Sequence, residues 1–195
     1  MKKRKISILG VVGILLILTG VSMIGYKFIS EYIENKSINE ELDSFFDQPF
    51  VEEGEMPEAA DAEAMGVINI ESIGVNHLVM QSENWDYLTR YVVAWPNKTL
   101  DEGNFSIAGH NGACASCVFR DFDKLNDKDV ITLTTKDKVY TYEIFEIKTV
   151  VYTDVSVLED IPGKTTLTLV TCSQPLTYDE FRVIVHAELK TVVDR

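Results

Sequence analysis

Clustered positive charge is missing from most of this 195-residue chain. Lys and Arg number 18 against 31 Asp and Glu, the formal net charge is −13, and residues 37–66 contain no Lys or Arg. Nucleic acids and anionic lipid surfaces reward clustered cations, so the part of the chain beyond its first residues is not expected to bind either one.

Cysteine is also scarce, with only Cys114, Cys117 and Cys172 in the sequence. An odd count leaves at least one thiol unpaired even where thiols tend to oxidise. Cys114 and Cys117 are close enough in sequence to pair locally, which would leave Cys172 free. A redox-active pair expects a strand followed by a helix, and that context is missing. A structural disulfide, redox modulation and a metal site completed by His110 and Cys172 all stay open for this pair.

Only one long apolar run is present, and it lies near the N-terminus. Four of the first five residues are Lys or Arg, and residues 6–26 carry no formal charge. As a helix this run would extend about 31 Å, whereas the apolar region of a signal peptide is about 7 to 15 residues long. We predict a basic cytoplasmic end at residues 1–5 and a membrane anchor at residues 6–29, with the remainder outside the cell.

Residues 30–66 are predicted to form an acidic extracellular spacer, because residues 37–66 contain ten Asp or Glu together with Pro49 and Pro57. Such a segment is solvated and self-repelling. Residues 38–46 could form a helical turn or two, and residues 45–50 are unusually aromatic for a linker.

Short apolar or alternating runs separated by turn signals recur from residue 67 to residue 195. The surest strand is residues 139–147, which alternate in part and are rich in aromatic and β-branched side chains. Eight such runs predict a mainly β domain with a closed or nearly closed barrel. One short helix is predicted after Ser82 and another over residues 118–125, where Phe119, Phe122 and Leu125 recur at helical spacing.

The residue types that acyl transfer requires occur at the ends of three predicted strands. Cys172 closes one apolar run, His110 follows another, and Arg182 opens a third. A thiol can act as nucleophile, an imidazole as proton donor and a guanidinium as oxyanion clamp. The ordinary alternatives are a buried apolar cysteine, a hydrogen-bonded loop histidine and a surface ion pair. His77 and His186 lie in strand-like runs, and we interpret both as sheet residues without chemistry.

The segments Ser-Ile-Ala-Gly-His, ending at His110, and Thr-Leu-Val-Thr-Cys, ending at Cys172, resemble the sortase family together with the later Arg182. Sortases are membrane-tethered cysteine transpeptidases of Gram-positive bacteria. The resemblance covers residues 67–189 and implies an eight-stranded barrel. It further implies that Cys172 attacks a Leu-Pro-x-Thr-Gly-like sorting signal, that His110 protonates the departing amine and that Arg182 stabilises the oxyanion. Thr171 and Ala108 are predicted to contact the substrate.

The partners implied by the resemblance are surface proteins with a C-terminal sorting signal and, as acceptor, an amine of a peptidoglycan precursor or of a pilin. Class A or D is favoured over the pilus-building class C, whose Asp-Pro-aromatic lid motif matches residues 47–50 only with one residue inserted. Residues 45–50 are interpreted as a locally packed linker, and a lid over the active site is the alternative. The absence of a second long apolar segment also argues against class C. No cofactor is expected, and calcium at Asp101 and Glu102 is an alternative.

Four other functions compete with a cell-wall-anchoring sortase. One is a pilus-assembling sortase, and another is a non-catalytic, membrane-tethered peptide-binding domain that kept the groove. The third is a thiol–disulfide oxidoreductase that would use Cys114 and Cys117. The fourth is a hydrolase that releases peptides by the same chemistry.

Overall fold

A computed structural model describes residues 8–47, 62–96, 98–112, 114, 117–173 and 180–195. The chain divides into two units, with the boundary after Asn39.

The first element is the helix α1, Ile8–Asp47. Its segment Val12–Ser30 has a mean hydropathy of 1.9 and side chains that are not buried within the protein. At 1.5 Å per residue this segment extends about 28 Å, so it is long and apolar enough to cross a bilayer. This agrees with a membrane anchor near the N-terminus.

The helix α1 extends further than the sequence predicts. Residues 30–47 were expected to be spacer apart from a turn or two, but they are helical, and residues 48–61 lie outside the described part of the chain. Leu42 and Phe45, both within the second unit, are 6% and 8% exposed. These side chains give the end of the acidic helix an apolar stripe that packs, because residues three apart share a helix face.

Eight strands form the second unit's sheet. They are β1 Ala62–Ile70, β2 Val75–Ser82, β3 Val92–Ala94, β4 Asn104–Ala108, β5 Val130–Thr134, β6 Lys138–Val151, β7 Thr166–Cys172 and β8 Phe181–Asp194. The strands form a closed barrel in the order β1-β2-β3-β4-β7-β8-β6-β5, which confirms the predicted architecture. Two neighbouring pairs, β2 with β3 and β4 with β7, are parallel, and the other pairs are antiparallel.

The strands β4, β7 and β8 have buried side chains on both their inner and their outer faces. Their odd-numbered apolar residues fill the barrel core, as Phe105, Leu169 and Val185 do. Since successive side chains of a strand point to opposite faces, the even-numbered residues point outward. Ala108 and Ile184 belong to this outer face and are nevertheless 9% and 1% exposed.

Two short 3₁₀ helices lie beside this outer face. The rim helix, Trp85–Thr89, corresponds to the short helix predicted after Ser82, but Asn84 caps it by accepting a hydrogen bond from the Asp86 amide. The wall helix, Ser156–Leu158, belongs to the segment of chain that connects β6 to β7. In the predicted helical segment 118–125 the chain forms turns and the 3₁₀ helix Phe122–Lys124.

Candidate active site

Parallel pairing of β4 and β7 places His110 beside Cys172. Ala108 is the register partner of Val170, and the Gly109 amide donates a hydrogen bond to the Val170 carbonyl at 3.1 Å. Two residues beyond these partners, one chain reaches His110 and the other reaches Cys172. Parallel strands end at the same edge of a sheet, so the imidazole and the thiol are presented at one edge of the barrel.

Antiparallel pairing of β7 and β8 brings Arg182 to the same place. Cys172 and Arg182 are direct register partners, and the Cα atoms of such partners are about 4.5 to 5.5 Å apart. One guanidinium nitrogen of Arg182, Nη1, donates a hydrogen bond to the Phe181 carbonyl at 2.8 Å. The guanidinium carbon lies 5.9 Å from the centre of the Tyr152 ring.

These three residues line one groove with a volume of about 360 Å³. Its floor is apolar and includes Ala108, Val170 and Ile184, which lie on the outer face of the three strands. The rim helix contributes Trp85, whose ring meets Trp95 edge-on with centroids 4.8 Å apart. The opposite wall is formed by residues 154, 155, 157 and 158, next to and within the wall helix. An extended peptide with apolar side chains fits a groove of this composition.

The loop that carries His110 is tied to β7 on both sides of the histidine. The Thr171 hydroxyl donates to the Gly109 carbonyl at 2.8 Å, and the Asn111 side-chain amide donates to the Cys172 carbonyl at 2.8 Å. The Phe119 amide donates to the carbonyl of His110 itself at 3.0 Å. Asn111 has no distinguishing sequence signal beyond its position next to His110.

A disulfide joins Cys114 and Cys117, and Cys172 is a free, half-buried thiol. Cys117 is 6% exposed and packs so tightly on Gly112 that a Cβ atom added there would lie 2.9 Å from the Cys117 sulfur. The disulfide therefore lies against the loop that follows His110.

The two predicted substrate contacts, Ala108 and Thr171, both line the groove. Thr171 is only 2% exposed, and its hydroxyl is engaged by the Gly109 carbonyl. In the structure this hydroxyl connects two strands, and contact between Thr171 and substrate stays a prediction.

The aromatic pair that begins the predicted lid does not cover the groove. Lys136 lies 5.6 Å from the Phe45 ring centre, and the Arg195 guanidinium lies 4.0 Å from the Phe46 ring centre. Arg195 follows the end of β8 and Arg182 lies near its start, which separates them by about 43 Å along the strand. These contacts place Phe45 and Phe46 away from the groove, residues 48–50 lie outside the described residues, and a lid over residues 45–50 stays a prediction.

Within the described ranges, no group of three or more His, Cys, Asp or Glu side chains is arranged to hold a metal ion. Asp101, one of the two residues considered for calcium, lies 3.8 Å from the Lys138 ammonium. Binding of calcium at Asp101 and Glu102 stays a prediction.

A family model described as a sortase domain matches residues 68–190. Sortase A of Listeria monocytogenes is 29% identical over 191 residues, covering 90% of this chain and 86% of that protein. Sortase A of Streptococcus agalactiae is 39% identical over 93 residues, and this match spans 46% of this chain and only 37% of that protein.

Two solved structures have the same barrel. The structure of sortase A from Listeria monocytogenes superposes with a TM-score of 0.63 at 29% identity, covering 68% of this chain and 90% of that chain. The sortase D5 transpeptidase of Clostridium perfringens gives a TM-score of 0.64 at 30% identity, covering 82% of this chain and 99% of that chain.

Proposed function

This chain belongs to the sortase family of transpeptidases, and we propose that it cleaves a Leu-Pro-x-Thr-Gly-like sorting signal and joins the cleaved protein to a cell-wall amine. The observation that carries this proposal is the convergence of Cys172, His110 and Arg182 on one apolar groove at the edge of the barrel. In this reaction Cys172 is the nucleophile, His110 moves the proton and Arg182 stabilises the oxyanion.

The first half-reaction transfers the acyl group to the enzyme. The Cys172 sulfur attacks the carbonyl carbon of the signal threonine, and the resulting oxyanion accepts hydrogen bonds from Arg182. The Arg182 guanidinium carries its N–H donors in a planar fork, a geometry that suits an oxyanion. When the C–N bond to glycine breaks, protonated His110 gives its proton to the departing amine, and a thioester with Cys172 remains.

The second half-reaction releases the product. An amine of a peptidoglycan precursor attacks the thioester carbonyl, the C–S bond breaks and the Cys172 thiolate is regenerated. His110, now neutral, takes the proton that the attacking amine loses, so the enzyme returns to its starting state.

The spacing of residues along β7 supports a four-residue recognition segment upstream of the cleaved bond. Thr168 lies four positions before Cys172 on β7 and is fully buried. This spacing is about 13 Å, the length of four residues of extended peptide. A signal threonine at Cys172 then places the signal leucine near Val157 and Leu158, which are apolar and line the groove.

We assign the enzyme to class A or D and to the outer face of the membrane. The class assignment is supported by the similarity to sortase A proteins and to a class D structure, and by the position of Phe45 and Phe46 away from the groove. The apolar segment Val12–Ser30 and the four cations among the first five residues support an anchor whose N-terminus is cytoplasmic.

Incubation of the protein with a Leu-Pro-x-Thr-Gly peptide and an oligoglycine amine tests the proposal. Mass spectrometry should detect the acyl-enzyme and the joined product with the wild type and neither with Cys172→Ala. Arg182→Lys should lose most activity because a point charge cannot replace the planar fork, whereas Arg195→Lys, at the other end of β8, should retain it. Transpeptidation by Cys172→Ala would refute the mechanism, and peptide binding without any acyl-enzyme would indicate a non-catalytic binding domain.

A further inference from the structure

The strands that present Cys172, His110 and Arg182 also carry a buried polar cluster, Asn104 on β4, Thr168 on β7 and His186 on β8. Asn104 and Thr168 are 0% exposed and His186 is 3% exposed. Each lies an even number of residues from the site residue of its own strand, so the cluster shares the outer face of the sheet with the groove floor. Polar side chains buried this completely have to find partners.

The partners of Asn104 lie in the segment that forms the groove wall. Its side-chain oxygen accepts a hydrogen bond from the Thr168 hydroxyl at 2.7 Å, which fixes the orientation of the amide. Its side-chain nitrogen then donates to the Val157 carbonyl at 3.2 Å and to the Glu159 carbonyl at 3.1 Å. The Asn104 backbone amide donates to Asp160 at 2.9 Å. One residue of β4 thus contacts the chain at three positions in and just after the wall helix.

His186 holds the same segment from a second strand. Its Nε2 lies 3.1 Å from the Val157 carbonyl, and its Nδ1 lies 2.9 Å from the Glu146 carboxylate. A hydrogen bond from Lys148, together with the one from His186, lowers the pKa of Glu146, so this carboxylate is an acceptor. Both ring nitrogens of His186 thus lie within hydrogen-bond distance of an acceptor oxygen. The Val157 carbonyl therefore has a hydrogen-bonding side chain from β4 and another from β8 beside it.

We infer that Asn104, Thr168 and His186 are positioning residues that hold the wall helix in its substrate-binding position before the sorting signal arrives. The Val157 and Leu158 side chains line the groove, so whatever fixes the Val157 backbone also fixes this wall. Preorganisation removes the cost of ordering the wall during binding. The effect of the cluster should accordingly appear in KM and not in kcat. This role in recognition rests on the proposed function. The hydrogen bonds that hold the wall helix, which we call the clamp, do not depend on it.

Thr168→Val is the most direct test, because valine keeps the shape of threonine and removes the hydroxyl that orients Asn104. Thr166→Val is the matched control. Thr166 lies two residues away on the same face of β7, is fully buried, and has a hydroxyl with no hydrogen-bond partner among the residues that the structure describes. Thr168→Ser, which keeps the hydroxyl, serves as the conservative rescue.

In a cleavage assay with the signal peptide, Thr168→Val should raise KM about 5- to 10-fold, the size expected for one buried hydrogen bond, with kcat within about twofold of wild type. Thr168→Ser should have near wild-type KM, and Thr166→Val should change neither constant. An unchanged KM in Thr168→Val would overturn the inference. An equal rise in KM for Thr166→Val would also overturn it, because both effects would then reflect a general loosening of β7. A fall in kcat alone for Thr168→Val would likewise contradict it, because the variant would then act on Cys172 and not on the wall helix.

Hydrogen exchange of the Leu158 and Glu159 amides tests the clamp without any substrate. Both amides donate within the wall segment, and both should exchange about 10-fold faster in Thr168→Val while amides of the barrel core stay unchanged. Equal exchange rates in the variant and the wild type would refute the clamp even if the signal peptide proved to be the wrong substrate. If Thr168→Val does not fold, His186→Phe, which removes both ring nitrogens, should raise KM and amide exchange in the same direction, and wild-type values for that variant would reject the inference.

Discussion

Replacing Gly109 with alanine should disable the active site without unfolding the barrel. A Cβ atom at Gly109 would lie 2.6 and 2.7 Å from two ring carbons of Phe119 and 3.0 Å from a methyl carbon of Val92. Carbon atoms in ordinary contact are about 3.5 to 4.0 Å apart, so roughly 1 Å of space has to be created. Phe119 cannot easily move, because it is fully buried and stacked on Phe122 with centroids 4.2 Å apart.

The backbone of Gly109 therefore has to shift, and His110 shifts with it. Overpacking of this kind usually lowers the free energy of unfolding by about 1 to 3 kcal/mol. A displacement of about 1 Å in a catalytic group reduces the rate roughly 100-fold, which corresponds to about 2.7 kcal/mol of transition-state stabilisation. We expect Gly109→Ala to remain folded at room temperature and to lose about 100-fold in kcat/KM.

Gly66→Ala is the matched control for this experiment. Its added Cβ would lie 2.6 Å from the Thr134 carbonyl oxygen, an equally close contact, but between β1 and β5 and away from the groove. Thermal unfolding and peptide-cleavage kinetics should show that both variants lose stability and that only Gly109→Ala loses activity. Adding Phe119→Leu should partly restore activity to Gly109→Ala by making room for the methyl group. Wild-type kcat/KM for Gly109→Ala, or an equal activity loss in Gly66→Ala, would refute this reasoning.

Three further predictions concern the disulfide, a buried histidine and the end of α1. Replacing both Cys114 and Cys117 with Ser should lower thermal stability or turnover moderately without abolishing transpeptidation, since a short-loop crosslink contributes a few kcal/mol at most; loss of all activity would assign the pair a chemical role. Burial lowers the pKa of His77, so the unfolded state binds more protons between this lowered value and about 6.5, and stability should fall as pH decreases through that window. His77→Phe should flatten this dependence in denaturation curves at pH 7 and pH 5, and an unchanged slope would contradict the assignment. Phe45→Ala should lower the free energy of unfolding by about 3 kcal/mol and Glu41→Gln by less than about 1 kcal/mol, because apolar burial outweighs a partly exposed ion pair; the reverse order in thermal unfolding would show that charge holds the helix end.

Local patterns in the sequence predicted the barrel because strand signals are local. In β6, the buried side chains of Tyr140, Tyr142 and Ile144 alternate with more exposed residues, and this period of two is visible without any structure. The positions of His110 and Cys172 at strand ends were equally visible from the apolar runs that precede them. What the sequence could not reveal is that β4 and β7 are parallel neighbours, because that pairing joins segments more than 60 residues apart.

The hydrogen bonds that hold the wall helix cannot be read from the sequence for the same reason. His186 lies in β8, as the sequence predicts, but its partners come from β6 and from the wall helix. Asn104 had no distinguishing signal, because its partners are 53 to 64 residues away along the chain. A buried polar side chain looks like any other strand residue until the elements around it are known.

At the end of α1, the acidic composition predicts a spacer, but contacts on one face of the segment make it part of a helix that packs on the second unit. The acidic residues after position 37 favour a solvated spacer, yet Glu41 forms an ion pair with Arg90 and accepts a hydrogen bond from the Tyr91 hydroxyl at 3.0 Å. Arg90 directly follows the rim helix, whose Trp85 lines the groove. The end of α1 therefore belongs to the same compact unit as the barrel, and a truncation at residue 67 would remove a contact with the residue that follows the rim helix.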